Sequence, residues 1–257
     1  MEIHPDPDGR HRRRFERGRR TSTHPRWSVL ARLFVGVCAA LLLSLLLTLS
    51  LRWLNPPTSA FMLAARVNAA LAGKRDFVVA QRWLPLAAQS PWAAVAVIAA
   101  EDQKFRRHRG FDFTAMGDAL AAHQRRASLR GASTLSQQLA KNLFLWSGHS
   151  WLRKACEAWF TLLLEMALGK HRILELYLNM VEFGPGLYGV EAASERYFGH
   201  GAATLSAEEA AALAAVLPSP RYYSVITPSS YVTARRRWIM QQMRQLGGVA
   251  VVAGLKP

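Results

Sequence analysis

Residues 99–110, AAEDQKFRRHRG, set two adjacent carboxylates, Glu101 and Asp102, at the end of the apolar run PWAAVAVIAA. Ser90 can cap a helix and Pro91 suits its first position, so the run reads as a buried helix. At helical spacing Val97, Glu101 and Phe105 share one face. A carboxylate at the mouth of such a helix loses hydration, which disfavours its charged form and raises its pKa. That yields a general acid or base useful near neutral pH. The alternative is a pair of surface acids neutralised by Lys104, Arg106 or Arg107. His108 has no partner at metal-ligand spacing, and a structural hydrogen bond near Gly110 is the simpler role for it.

Two further stretches favour the chemical reading. GASTLSQQLAKN, residues 131–142, puts Thr134, Gln138 and Lys141 on one polar stripe with Leu135, Leu139 and Leu143 opposite. An ordinary amphipathic helix would look similar, but hydroxyl, amide and ammonium in a row suit a sugar bearing an anionic group. The following NLFLW is either core or a surface that dips into a membrane. WLRKACEAWF, residues 151–160, sets Arg153 four and Lys154 three residues before Glu157. That is either an intrahelical ion pair worth about a few tenths of a kcal/mol, or a carboxylate and two cations arranged for a phosphate. Lys170, His171 and Arg172 add positive charge nearby.

The elements that must position these residues are helices. Helices are expected over 61–71, 91–100, 114–127, 134–145, 152–168, 171–181, 189–198, 206–217 and 231–246. Thr134 with Gln137, and Ser206 with Glu209, form capping-box patterns, and Pro218 and Gly247-Gly248 are stops. Residues 77–79 and 83–84 read as extended. Strand signals are otherwise few, and the class is all-α.

The chain of 257 residues carries a net charge of +16. Residues 1–52 hold ten arginines and four acids, leaving +10 for the remainder. A body this basic implies an anionic partner or surface. Residues 1–28 read as a disordered, Arg-rich tail. A nucleic-acid arm is set aside because residues 33–51 form a 19-residue uncharged run between Arg32 and Arg52, long enough to span a bilayer. Residues 29–52 are therefore expected to anchor the chain, with the arginines keeping the N-terminus cytoplasmic. A linker at 53–60, with Pro56 and Pro57, leads to a catalytic domain over 61–257. Cys38 and Cys156 lie in such different settings that no disulfide is expected.

Taken in order and at their separations, EDQKFRRHRG, GASTLSQQ, RKACE and KHRILELYLN resemble the motif series of the peptidoglycan glycosyltransferases. The same module forms the N-terminal half of class A penicillin-binding proteins. NPPTSAFML and AALAAVLPSP resemble flanking segments of the single-domain form, and the likeness covers about residues 55–248. Residues 221–224, RYYS, depart from it. The resemblance implies a mostly helical, lysozyme-like lobe with a smaller membrane-apposed lobe. It implies polymerisation of lipid II by inverting transfer, with Glu101 as general base and undecaprenyl pyrophosphate as leaving group. Asp102, Phe105 and His108 match the rest of the first motif. Ser133, Thr134, Gln137, Gln138, Lys141 and Asn142 match the second, which lines the donor site. Arg153, Lys154 and the second catalytic carboxylate, Glu157, match the third, and Lys170 and Asn179 the fourth. A divalent cation (Mg or Mn) often accompanies this chemistry, and no organic cofactor is implied. The expected partners are lipid II, the growing glycan, membrane lipids and other cell-wall synthesis or division proteins, but no nucleic acid. The expected location is the bacterial inner membrane, with the catalytic domain on the periplasmic side.

Three rival readings fit the residues less well. A lytic muramidase would also use a carboxylate acid but needs no pyrophosphate-binding cations. An inert tethered module would not require both Glu101 and Glu157. A bifunctional penicillin-binding protein would need Ser-x-x-Lys and Lys-Thr-Gly motifs, and the sequence contains neither.

Overall fold

The computed structural model describes residues 27–124, 133–148 and 150–255. Most of the Arg-rich tail, and residues 125–127 of the helix expected at 114–127, lie outside them. The chain divides into two units, residues 1–42 and 43–257. Helix α1 (Trp27–Ser50) contains a span, Val29–Ser50, long and apolar enough to cross a membrane.

In the second unit, the last two turns of α1 are packed against protein. Thr48 is fully buried, and the Trp159 indole N–H donates to Ser44 Oγ at 3.0 Å. Helix α2 (Ala60–Leu71) follows, its N-terminus capped by Ser59. Then come strand β1 (Ala80–Gln81), α3 (Pro91–Glu101), α4 (Phe113–Gln124) and α5 (Leu135–Phe144). Next are α6 (Trp151–Ala167), α7 (Lys170–Met180), strands β2 (Glu182–Gly184) and β3 (Leu187–Tyr188), and α8 (Val190–Phe198). The chain closes with α9 (Ala207–Val216), α10 (Ser230–Gln245) and the short α11 (Ala250–Ala253).

The core is built around α3, whose residues Ala93 to Ala99 are all buried. Its small side chains let α9, itself rich in alanine, approach closely, and α10, α7 and α11 close the remaining sides. Helix α5 packs between α6 and α7, burying Leu135, Leu139 and Leu143. Both expected capping boxes are present, at Thr134–Gln137 and Ser206–Glu209, each worth about 1 kcal/mol through the capping hydroxyl.

Three sequence expectations are revised. Ser90 flanks α3 without capping it; its hydroxyl instead donates to the Leu205 carbonyl at 2.7 Å, tying α3 to the turn before α9. Helix α3 ends at Glu101, so Phe105 does not continue the Val97–Glu101 face but turns into the core, fully buried. The strand forms at Ala80–Gln81, between the two predicted extended stretches, because that segment pairs in parallel with β3, Ala80 opposite Leu187 and Gln81 opposite Tyr188. Trp83-Leu84 is not strand-paired. The Asn179 side chain serves it instead: Oδ1 accepts from Leu84 N–H at 2.8 Å, and Nδ2 donates to the Leu84 carbonyl at 2.9 Å.

Candidate active site

Glu101 ends α3 with a side chain only 14% exposed. Three elements meet at its carboxylate. Gln138 of α5 donates an amide N–H to Oε2 at 2.9 Å, and Arg235 of α10 donates to Oε1 at 2.8 Å. Tyr177 of α7 stands behind Gln138, its hydroxyl donating to Gln138 Oε1 at 3.0 Å. That bond fixes which face of the amide points at Glu101. Burial raises the Glu101 pKa above the ordinary carboxylate range. The Gln138 hydrogen bond, then the charges of Arg235 and Lys141, oppose the rise without cancelling it. A raised pKa makes the carboxylate a stronger base, the property general-base catalysis needs.

Lys141 stands one turn beyond Gln138 on α5. Burial pushes its pKa down, and the charges of Glu157 and Glu101 both act to restore it while Arg153 and Lys154 lower it further. Lys141 therefore links the carboxylate at the end of α3 to the charged cluster on α6. There Glu157 is buried, pairs with Arg153 Nη1 at 2.8 Å, and also pairs with Lys154. Arg153 is itself buried, and its Nε–H meets no acceptor among the described residues. Lys154 is nearly half exposed. The cluster thus combines a neutralised core pair with an open buried donor and an accessible ammonium, which suits a phosphate oxygen.

A cleft of about 210 Å³ between α2 and the β2–β3 turn, near Lys74 and Arg221, lies away from this chemistry. A second cleft, about 180 Å³, opens at Glu101 itself, walled by Lys104, Asp112, Ser133 and Thr134. It gives Glu101 a route to an incoming group.

A transglycosylase family model matches residues 69–244. The chain belongs to the transglycosylase family. The chain is 53% identical over 215 residues to a "Biosynthetic peptidoglycan transglycosylase" of Stutzerimonas stutzeri, covering 84% of this chain and 88% of that protein. A Salmonella enteritidis protein of the same name is 56% identical over 193 residues, with 75% and 80% covered. One from Xylella fastidiosa is 46% identical over 232 residues, with 90% and 96% covered.

The residues that this transglycosylase shares with the motif series divide by where their polar atoms point. Glu101, Gln138, Lys141, Arg153, Lys154 and Glu157 converge as described, and Ser133 lines the cleft. Several others face inward. Asp102 accepts from His108 Nε2 at 2.9 Å and from the Leu135 N–H at 3.0 Å, and Gly110 N–H donates to His108 Nδ1 at 3.2 Å. His108 therefore has the structural role near Gly110 that its isolation implied. Thr134 donates to the Gly110 carbonyl at 2.6 Å, and Gln137 closes the cap with Thr134 N–H. Lys170 pairs with Glu165 at 2.7 Å and sits 4.6 Å above the ring centre of buried Phe105. Asn179 is fully buried, with both amide atoms bonded to backbone. In this structure Asp102, His108, Gln137, Lys170 and Asn179 meet partners within the protein and Phe105 is buried in the core, while Asp102 also borders the cleft. Asn142 is half-buried beside Lys141. In the NLFLW segment Leu143 and Leu145 join the core, and only Trp146 is exposed.

Arg235 and Tyr177 escaped the sequence reading. Arg235 sits in an Arg-Arg-Arg run that reads as a solvated face. Yet Val232, Ile239 and Met243 form the buried face of α10, and Arg235 shares their register. A cation at a core-facing position was the available signal.

The donor set does not fit a resident divalent cation. Among the described residues no three His, Cys, Asp or Glu side chains converge, and Glu101 and Glu157 each already face cationic partners.

Proposed function

We propose that this transglycosylase polymerises lipid II into linear glycan strands. The observation that carries the reading is the pairing of a buried, basic carboxylate, Glu101, with a separate cation cluster reached through Lys141. Hydrolysis needs only a carboxylate pair around water. Transfer from a lipid pyrophosphate also needs cations at the leaving group, and Lys141, Arg153 and Lys154 supply that set.

In this mechanism the acceptor sugar's 4-hydroxyl enters the cleft and donates its proton to Glu101. The hydroxyl oxygen attacks C1 of the growing chain on the opposite face from the pyrophosphate, inverting that centre. As the C1–O bond breaks, negative charge builds on the pyrophosphate and meets Lys141, Lys154 and the open Nε–H of Arg153. Glu157 keeps Arg153 and Lys154 oriented before substrate binds.

A bacterial cytoplasmic-membrane site fits the reading. Alongside the span in α1, helix α6 turns Leu152, Trp159, Leu162 and Met166 outward, spaced seven, three and four residues apart on one stripe. An apolar stripe of this kind suits a lipid surface better than water. The N-terminal arginines favour a cytoplasmic N-terminus and an extracytoplasmic catalytic unit.

The test is incubation of the detergent-solubilised protein with purified lipid II. Glycan polymer with release of undecaprenyl pyrophosphate is expected. Failure to form polymer, with cleavage of preformed strands instead, would move the protein to the lytic class.

A further inference from the structure

The contacts behind Glu101 close into a ring, and one member of it belongs to no motif. Glu165, near the end of α6, has a side chain only 7% exposed. Its Oε1 accepts from Ser136 in the first turn of α5 and from Lys170 in the first turn of α7, the latter at 2.7 Å. Gly110 lies against the same side chain. Its φ is +86°, and a Cβ there would fall 2.8 Å from Thr161 Cγ2 and 3.0 Å from Glu165 Cγ. The turn carrying Asp102 and His108 therefore rests on α6 at Glu165.

The first turn of α5 is consequently tied at three points. Leu135 N–H donates to Asp102, Thr134 Oγ1 donates to the Gly110 carbonyl, and Ser136 Oγ donates to Glu165. Two residues after Ser136 comes Gln138, whose amide holds Glu101. The first two ties join α5 to the segment that carries Glu101. The third joins it to α6, which carries the cation cluster.

We propose that Glu165 is a positioning residue for glycosyl transfer, holding α5 in register so that Gln138 and Lys141 meet Glu101 and the α6 cations together. The assignment rests on the transfer reading above. It acts at a distance: Glu165 bonds to Ser136 and Lys170, and its influence on Glu101 passes through α5.

The sign of a pH shift separates this role from its rivals. The groups facing Glu101 are Arg235 from α10, Gln138 and Lys141 from α5, Tyr177 behind Gln138 from α7, and Asp102 beside it. If Glu165 acted through space, removing its negative charge would ease ionisation of Glu101 and move the acid limb of activity to lower pH. If it acts by seating α5, its loss loosens the Gln138 hydrogen bond and moves that limb to higher pH. Ser136→Ala changes no charge and tests the seating alone.

The experiment measures kcat and KM for lipid II polymerisation against pH, with melting curves, for wild type, Glu165→Gln and Ser136→Ala. The expected result is a kcat roughly ten- to a hundredfold lower in Glu165→Gln, the scale of misplaced catalytic groups. KM should stay near wild type, and both variants should show an acid limb displaced upward. Should Glu165→Gln fail to fold, Ser136→Ala alone decides by the same limb. A limb unmoved or displaced downward, with only a lower melting temperature, would overturn the assignment. A wild-type protein that makes no polymer would instead overturn the transfer reading itself, and the assignment with it.

Discussion

Arg235→Ala offers a quantitative probe of how Glu101 is tuned. The wild-type guanidinium lies 2.8 Å from Glu101 Oε1, and the two side chains are 19% and 14% exposed. Unit charges about 4 Å apart at an effective dielectric near 20 attract by about 4 kcal/mol, equivalent to about three pKa units. Residual solvent around both groups screens part of that, and the Gln138 hydrogen bond, which also opposes the rise, survives the change. The Glu101 pKa should therefore rise further. A base must be deprotonated to act, so activity is lost as pH falls through that pKa, and the acid limb of kcat/KM should move to higher pH. At pH values well above the limb the variant should recover most of its rate. Arg235→Lys, which keeps the charge but not the planar fork, should fall between. The assay is polymerisation of lipid II across a buffered pH series. A uniform fall in rate with an unmoved limb would show that Arg235 supports the fold alone.

Glu157→Gln and Lys154→Ala should each lower kcat more than KM, because charge on the leaving pyrophosphate develops mainly in the transition state. Their double variant should be far less than additive if the two act as one unit, and unchanged turnover in both single variants would reduce the cluster to a helix ion pair. Asn179→Ala removes three hydrogen bonds, to Leu84 and Glu175. It should lower stability by about 1–3 kcal/mol for the backbone groups left unpaired, read as a lower melting temperature; full retention of stability with a selective rise in KM would return Asn179 to the substrate. A periplasm-dependent reporter fused after residue 257 should be active, and a cytoplasm-dependent one silent; the reverse would overturn the membrane topology.

What could be read from the sequence follows from the range of the interactions. The capping boxes at Thr134–Gln137 and Ser206–Glu209 are made by residues three apart, so their chemistry is complete within the local string. The same holds for Arg153, Lys154 and Glu157. Glu101 was legible only in combination: an apolar helix ending in a carboxylate is consistent with a desolvated charge, and the stretches at 131–142 and 151–160 favoured that reading over a surface pair. Strand β1 was misplaced because its register is set by β3, more than a hundred residues away. Lys170, Asn179 and Asp102 belong to the motif series, but a motif marks residue identity and not the direction of a side chain. The partners of Asn179 and Asp102, Leu84 and Leu135, come from elsewhere in the chain, and Glu165, which Lys170 meets, sits on the preceding helix. Arg235 was hidden by its arginine neighbours, although its register with Val232 and Ile239 pointed inward.

The central claim is that Glu101 accepts the acceptor's proton, and Glu101→Gln tests it most directly. The amide preserves the shape and can still accept from one of the two donors, Gln138 or Arg235, through its single oxygen, but it cannot take a proton at working pH. Single-turnover polymerisation of lipid II should slow by roughly 10²–10⁴-fold, while binding of lipid II in the same detergent stays near the wild-type level. A variant that polymerises at close to the wild-type rate would contradict the account and leave Glu101 as a structural anchor for Arg235.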